Sequence, residues 1–248
     1  MKIAVLTDVH GNLPALQVAL RAIRREGADA IFHTGDAIGI GPFPAECLEL
    51  LLSTPGVNLI CGNHDAWFST GLPEPQPSWM SDGELKHHQW VHSCLDPSLR
   101  HTVREWPYLI QDVYEGVRIS FLHYGLTESQ IDFRPIVHNP RPVDLDKVFA
   151  DINSDLVFYG HKHSPSDLVG TARYVNPGSL GCHSEPIARF AILKCESRSY
   201  KLKMRHVPYD DSALFQQFER RGVPDRHFIY KAFFGGRNAP SRPGPDIL

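Results

Sequence analysis

No apolar run in the chain comes near the roughly 20 residues that cross a bilayer, which argues against a membrane-embedded protein. Cysteine is sparse and unpaired in spacing. The five residues at 47, 61, 94, 182 and 195 form no disulfide or zinc pattern, and an odd, scattered set reads as reduced thiols in a cytoplasmic protein. The opening stretch, Met1 to Asp8, is broken by a carboxylate too early for a signal peptide. There is no glycine-rich nucleotide fingerprint, no heptad and no internal repeat. Charge of one sign is also lacking. A net charge of −3, with no basic stripe interleaved with aromatics, argues against gripping a nucleic-acid backbone, as a nuclease would.

What the chain has is histidine, fourteen in 248 residues, many beside Asp or Gly where a short apolar run ends. Lys2 to Leu6 reads as a buried strand that empties into Asp8-Val9-His10-Gly11-Asn12. If that segment stays extended, Asp8 and His10 share a face and Val9 points into the core. Asn12 is a plausible helix cap with Pro14 in the first turn, and Leu16, Ala19, Leu20 and Ile23 keep helical spacing up to Gly27. A second strand, Ala30 to His33, delivers Thr34-Gly35-Asp36. A helix over Ala45 to Leu52 follows a Gly/Pro loop. A third strand, Val57 to Cys61, delivers Gly62-Asn63-His64-Asp65. This βαβαβ order with short connections predicts a parallel sheet, hence an α/β fold, with the polar tips gathered at its carboxyl edge.

Residues 66–108 break the pattern. Pro73, Pro75 and Pro77 form a connector, and Asp82 to Leu95 looks helical. We read the stretch as a helical insertion leaning over the site, too short to stand alone. His88 and His92 share a helix face and could pair on a metal, but with no third ligand nearby a solvated face is the expectation. A second β-rich block starts near Gly116. Val117 to Leu122 delivers His123, Asp144 to Ala150 is helical, and Leu156 to Tyr159 delivers Gly160-His161-Lys162-His163. Arg173 to Val175 runs into the turn Asn176-Pro177-Gly178-Ser179. Ile187 to Leu193 and Tyr200 to Val207 read as an antiparallel hairpin in a second sheet, followed by a helix near Ser212 to Arg220. The expected organisation is one domain over 1–220 and a C-terminal extension over 221–248. That extension is loose from Gly235 onward, with Phe228 to Phe234 docking on the body or on another copy in a homo-oligomer.

Five strand tips thus end in metal-ligand residue types: Asp8-x-His10, Gly35-Asp36, Asn63-His64, His123 and His161-x-His163. Two divalent ions about 3.5–4 Å apart need an anionic bridge and several neutral donors. A carboxylate such as Asp36 supplies the bridge; imidazoles and an amide complete the shells and leave the site net positive. Such a pair acidifies a bridging water, and the resulting hydroxide can attack phosphorus in line. His64, not needed as a ligand, suits protonation of the leaving alkoxide. A mixed O/N donor set favours Mn, Fe, Zn, Ni or Co.

From Asp8 to Ser179 these motifs resemble the calcineurin-like metallophosphoesterase superfamily, and Asp8-Val9-His10-Gly11-Asn12 with Asn176-Pro177-Gly178-Ser179 is similar to its small bacterial and archaeal phosphodiesterase branch. The resemblance implies a four-layer αββα sandwich of two mixed sheets. It implies a first metal on Asp8, His10, Asp36 and His163, a second on Asp36, Asn63, His123 and His161, His64 as general acid, and Asn12 near substrate. The substrate would be a small phosphodiester or phosphomonoester, a nucleotide among the candidates. A dinucleoside-polyphosphate hydrolase or a serine/threonine protein phosphatase is the alternative enzyme, and a retromer-type scaffold is the alternative of another class. Gly39 and Ile40 stand where phosphoprotein phosphatases carry an Asp and an Arg that clamp phosphate, and Asp65 stands where they have Glu, which lowers that alternative. Tyr124 follows His123 where many members have Gly directly.

Overall fold

The computed structural model describes residues 1–238. Its first half follows the expected order: β1 (Lys2–Leu6), α1 (Leu13–Glu26), β2 (Ala30–His33), α2 (Pro44–Ser53) and β3 (Val57–Leu59). Helix α1 forms because Asn12 accepts the Ala15 N–H at 3.1 Å, Pro14 lies in the first turn, and Gly27 closes the end at φ 67°. Its buried stripe, Leu16, Ala19 and Ile23, packs on the outer face of the first sheet.

The 66–108 stretch is helical, as the sequence predicts, but its first helix, α3 (Asn63–Thr70), already begins inside the Gly62-Asn63-His64-Asp65 motif. Helices α4 (Asp82–Ser93) and α5 (Leu99–Arg104) follow. Phe68, Val91, Leu95, Val103 and Trp106 join the same apolar cluster as α1 and α2, so the stretch shares the main core. The solvated face expected for its histidines is corrected: His87 and His88 are buried, and His92 lies ring to ring with Phe68 at 5.6 Å. Among the described residues neither His88 nor His92 joins a cluster of metal-competent side chains.

The remainder runs β4 (Leu109–Tyr114), β5 (Val117–Leu122), α6 (Pro142–Val148), β6 (Leu156–Phe158), β7 (Ser166–Val169), β8 (Arg173–Asn176), β9 (Ile187–Glu196), β10 (Ser199–Pro208), α7 (Ser212–Arg220) and α8 (Arg226–Phe233). The strands form two mixed five-stranded sheets flanked by helices, ordered β10-β9-β1-β2-β3 and β4-β5-β6-β8-β7. Here one expectation fails. The β9–β10 hairpin belongs to the first sheet, because β9 pairs antiparallel with β1, Val5 opposite Ala191. Strands β4 and β7, which carry no strong period-2 pattern, are the edges of the second sheet.

The inner faces of the two sheets meet over Ile3, Val5, Phe32, Phe121, Phe158 and Val175. Phe32 and Phe121 stack at 3.8 Å between centroids with 5° between planes. Helices α1, α2, α7 and α8 cover the outside of the first sheet, and α6 covers the second. Of the C-terminal aromatics, Tyr230 and Phe234 are fully buried and Ile229 nearly so, docked on this chain's own body, whereas Phe228 is 58 % exposed. The stretch expected to be loose from Gly235 lies largely outside the described residues. Among the described residues no helix is long and apolar enough to cross a membrane.

Candidate metal centre

The carboxyl ends of β1, β2, β3, β5 and β6 open side by side, and the polar tips converge between the sheets. The reason differs from simple strand alternation. Asp8, His10, Asp36, His161 and His163 all take left-handed backbone, with φ of 51°, 47°, 61°, 67° and 62°. Each such residue stores on the order of 1–3 kcal/mol of strain, tolerated where the surroundings over-determine the geometry. They do so here. The Asp8 N–H donates to Gly35 O at 3.0 Å, and the His10 N–H to Asp36 O at 3.0 Å. The Leu180 and Gly181 N–H groups donate to Thr7 O and Asp8 O, each at 3.0 Å. The turn after β8 therefore pins the loop after β1.

Two glycines make the approach possible. A Cβ on Gly62 would sit 2.2 Å from Asp36 Oδ1, and one on Gly35 would sit 2.6 Å from His123 Nδ1. Asp65 was singled out in the sequence only as a departure from a Glu; in the fold it is a clamp. Its carboxylate accepts the N–H groups of Asp36 at 2.7 Å, Ala37 at 3.1 Å and Gly62 at 3.0 Å, tying the β2 tip to the β3 tip. Its position at N3 of α3 is the readable signal.

All seven expected ligands and His64 come together. On one side His10 Nε2 faces His163 Nε2 at 2.8 Å, with Asp8 Oδ1 3.6 Å from the first and 3.5 Å from the second. On the other side His123 Nε2 faces His161 Nδ1 at 3.0 Å and Asn63 Oδ1 at 3.1 Å. Asp36 Oδ2 sits between the groups, 3.6 Å from His10 Nε2 and 3.3 Å from His123 Nε2. His64 Nε2 lies 3.9 Å from the same oxygen, at the rim.

Tautomers decide what this arrangement wants. His10 Nδ1 is 3.2 Å from Ile38 O, and His123 Nδ1 is 2.9 Å from Thr34 O. A carbonyl can only accept, so each Nδ1 carries the proton and each Nε2 presents a lone pair. Those lone pairs point at carboxylate and amide oxygens and at other ring nitrogens. Lone pairs and carboxylate oxygens thus crowd one another, and the donor set fits divalent metal ions. Without metal the same demand shows as protonation. Burial alone would disfavour a charged His123, yet Asp36 raises it to about 9. Burial likewise opposes ionised Asp8 and Asp36, and the surrounding imidazoles still hold both carboxyls below the usual range. Metal binding would displace these protons.

Asn12, expected near substrate, is corrected. It is fully buried, caps α1, and its amide donates to Gly181 O at 2.7 Å and Tyr209 Oη at 2.8 Å. No atom is left for a ligand. Asn12→Ala is expected to lower the unfolding free energy by about 2 kcal/mol or more in urea denaturation, with KM for any substrate unchanged.

Two features escaped the sequence reading. Cys182 lies within reach of His10 and His163, but burial and the Asp8 carboxylate push its thiol far up, so it stays protonated. On the His163 side an open cleft of about 390 Å³ is lined by His183, Arg189 and Lys231, three residues that no local spacing links.

An uncharacterized protein of Methanocaldococcus jannaschii is 25 % identical over 251 residues, covering 95 % of this chain and 98 % of its own. A phosphodiesterase of the same organism is 23 % identical over 205 residues, covering 81 % of this chain and 97 % of its own. A hypothetical protein of Pyrococcus horikoshii shares the fold at a TM-score of 0.78 and 22 % identity, covering 95 % of this chain and 98 % of that one. Residues 1–198 match the calcineurin-like phosphoesterase superfamily domain, and with two mixed sheets whose tips gather Asp, His and Asn donors around Asp36, the chain belongs to that superfamily.

Proposed function

We propose that the protein is a metal-dependent phosphoesterase that hydrolyses small phosphodiesters or phosphomonoesters. The observation that carries this reading is Asp36 Oδ2, shared between two groups of inward-facing donors suited to divalent ions. Asp8, His10, Asp36 and His163 would hold one ion, and Asp36, Asn63, His123 and His161 the other. When bound, two such ions supply Lewis acidity toward phosphoryl oxygens and a water acidified toward neutral pH.

The chain's own residues do the rest. Asp36 spaces the two groups, while the His64 N–H donates to Asp36 Oδ1 at 3.0 Å and holds that carboxylate in place. We assign the His64 ring, at the rim, the proton handed to a departing alkoxide. In the free site burial and the His10, His88 and His87 imidazoles, against the pull of Asp36, hold it below the usual imidazole range, so it takes up that proton as the anionic ester binds. Arg189 and Lys231 add positive charge in the cleft on the His163 side, which would draw an anionic ester toward the centre. The phosphodiesterase relative is consistent with diester chemistry.

The test is a substrate panel with protein loaded with Mn, Fe, Zn, Ni or Co: bis-p-nitrophenyl phosphate, p-nitrophenyl phosphate, a dinucleoside polyphosphate and a phosphopeptide. Turnover of a small ester, abolished by a chelator and restored by added metal, supports the reading. No turnover with any metal contradicts it and leaves the scaffold role standing.

A further inference from the structure

Beside His64, and divided by Phe233 from the cleft that holds Arg189 and Lys231, lies a pocket of about 220 Å³ bounded by Ile40, Phe228, Ile229 and Phe233 with His87, His88, Glu84 and Asp225. That is smaller than the roughly 300–1,000 Å³ that encloses a drug-sized ligand, so it suits one ring system and not a whole nucleotide. The pocket is the seam between α4 and α8. Residue 83 must be small there, since a Cβ on Gly83 would come 2.7 Å from Asp225 Oδ2. His87 Nδ1, 3.1 Å from Pro224 O, fastens α4 to the loop that leads into α8.

The chemistry of the lining is one-sided. Isoleucine and phenylalanine offer flat apolar walls to a ring, and Phe228, 58 % exposed, stands at the mouth with no packing role to explain it. The polar groups mainly accept. His87 spends its proton on Pro224 O, so its Nε2 is a lone pair, and that buried atom has no partner among the described residues. His87 is only 4 % exposed, which makes an unmet acceptor at a pocket wall conspicuous. Glu84 and Asp225 add two carboxylates, and among the described residues the lining contains no lysine or arginine. A second phosphate is disfavoured; a group bearing N–H donors is favoured.

We propose that this seam is the subsite for the substrate's leaving group, and that it takes an amino-substituted heteroaromatic ring, the adenine or cytosine base of a nucleotide. This rests on the phosphoesterase reading above and deepens it. The ring stacks among Ile40, Phe228 and Phe233, and its exocyclic amine donates to the acceptors of α4 and Asp225. The ester bond is then held beside His64, which lines the same pocket. Arg189 and Lys231, in the adjoining cleft across Phe233, would face the retained, anionic end. Specificity would thus come from two segments, the 66–108 stretch and the C-terminal extension, that lie outside the ligand-bearing strand tips.

The experiment measures binding of adenosine, cytidine and uridine to the full-length protein by calorimetry, which needs no turnover. Adenosine and cytidine should bind roughly tenfold or more tightly than uridine, the amount one hydrogen bond to a charged acceptor corresponds to. Phe228→Ala should weaken adenosine by a similar factor, and Glu84→Gln should narrow the gap to uridine. Val169→Ala, at an exposed position on β7, should change neither. Equal affinity for all three nucleosides, no binding, or unchanged adenosine affinity in Phe228→Ala overturns the proposal. Hydrolysis of bis-p-nitrophenyl phosphate without nucleoside discrimination removes the subsite alone. Discrimination without any hydrolysis removes the phosphoesterase reading, and with it the leaving-group role, while the ring site stands.

Discussion

Asp36→Asn is expected to cut hydrolysis of bis-p-nitrophenyl phosphate by on the order of 10³-fold or more, beyond the 10–100-fold typical when a metal site loses an outer hydrogen bond. The substitution keeps the shape and removes the one negative charge common to both groups of donors. Its Oδ2 is 3.6 Å from His10 Nε2 and 3.3 Å from His123 Nε2, placed to serve both groups. An amide there is neutral and turns an N–H₂ toward rings that present lone pairs or toward the cation itself. Bound metal should fall with activity, to one ion per chain or fewer. Elemental analysis of wild type and variant at equal protein concentration checks this, with circular dichroism to establish that the sheets remain. Activity within tenfold of wild type, or unchanged metal content, would contradict the bridging role.

His64→Ala should separate chemistry from metal binding. General acid catalysis contributes typically ~10²–10⁴-fold, and kcat should fall by that order while metal content stays at the wild-type level. The reason for the split is that the main chain and side chain of this residue do different things. The His64 N–H supports Asp36 Oδ1, which alanine preserves, whereas the ring stands at the rim against His10, Trp67 and His88, with centroids 4.9, 5.1 and 5.0 Å away. Nothing bulky crowds its Nδ1, because residue 39 is glycine; a Cβ there would come within 2.5 Å. The loss should be larger for alkyl and nucleoside leaving groups, which need a proton, than for p-nitrophenolate, which leaves readily without one. Steady-state rates on one activated and one unactivated ester test this. An equal loss on both, or loss of metal, would instead make His64 a ligand or a structural residue.

The strand tips were readable in the sequence because the signals are local: an apolar run, a glycine, then Asp, Asn or His. The grouping of Asp8, His10, Asp36, Asn63, His64, His123, His161 and His163 followed from that layout. The reason they converge did not. Alternation along an extended strand would place Asp8 with His10, but the chain turns left-handed at both, and only main-chain bonds from Gly35, Asp36 and the turn after β8 hold it so. The most distant of those partners, Leu180 and Gly181, lie across the whole domain from Thr7 and Asp8 in sequence and leave no local trace.

The same limit explains the hairpin. Its alternation and its Ser197-Arg198 turn, with φ of 49° and 61°, were plain, yet which sheet it joins depends on pairing with β1 nearly the whole chain away. Polarity misled at two points. His88, expected on a solvated helix face with His92, is buried with its ring against His64 and Trp67. Asn12, beside His10, reads as a substrate contact, while its amide is consumed by the α1 cap, Gly181 and Tyr209.

The most direct test of the central claim is a count of metal ions and their positions: crystals of protein loaded with manganese or zinc, with anomalous scattering used to locate the ions. The account predicts two peaks about 3.5–4 Å apart on either side of the Asp36 carboxylate, one against His10 and His163 and the other against His123 and His161. A single ion elsewhere on the surface, or no ion at this centre under saturating metal, would contradict it.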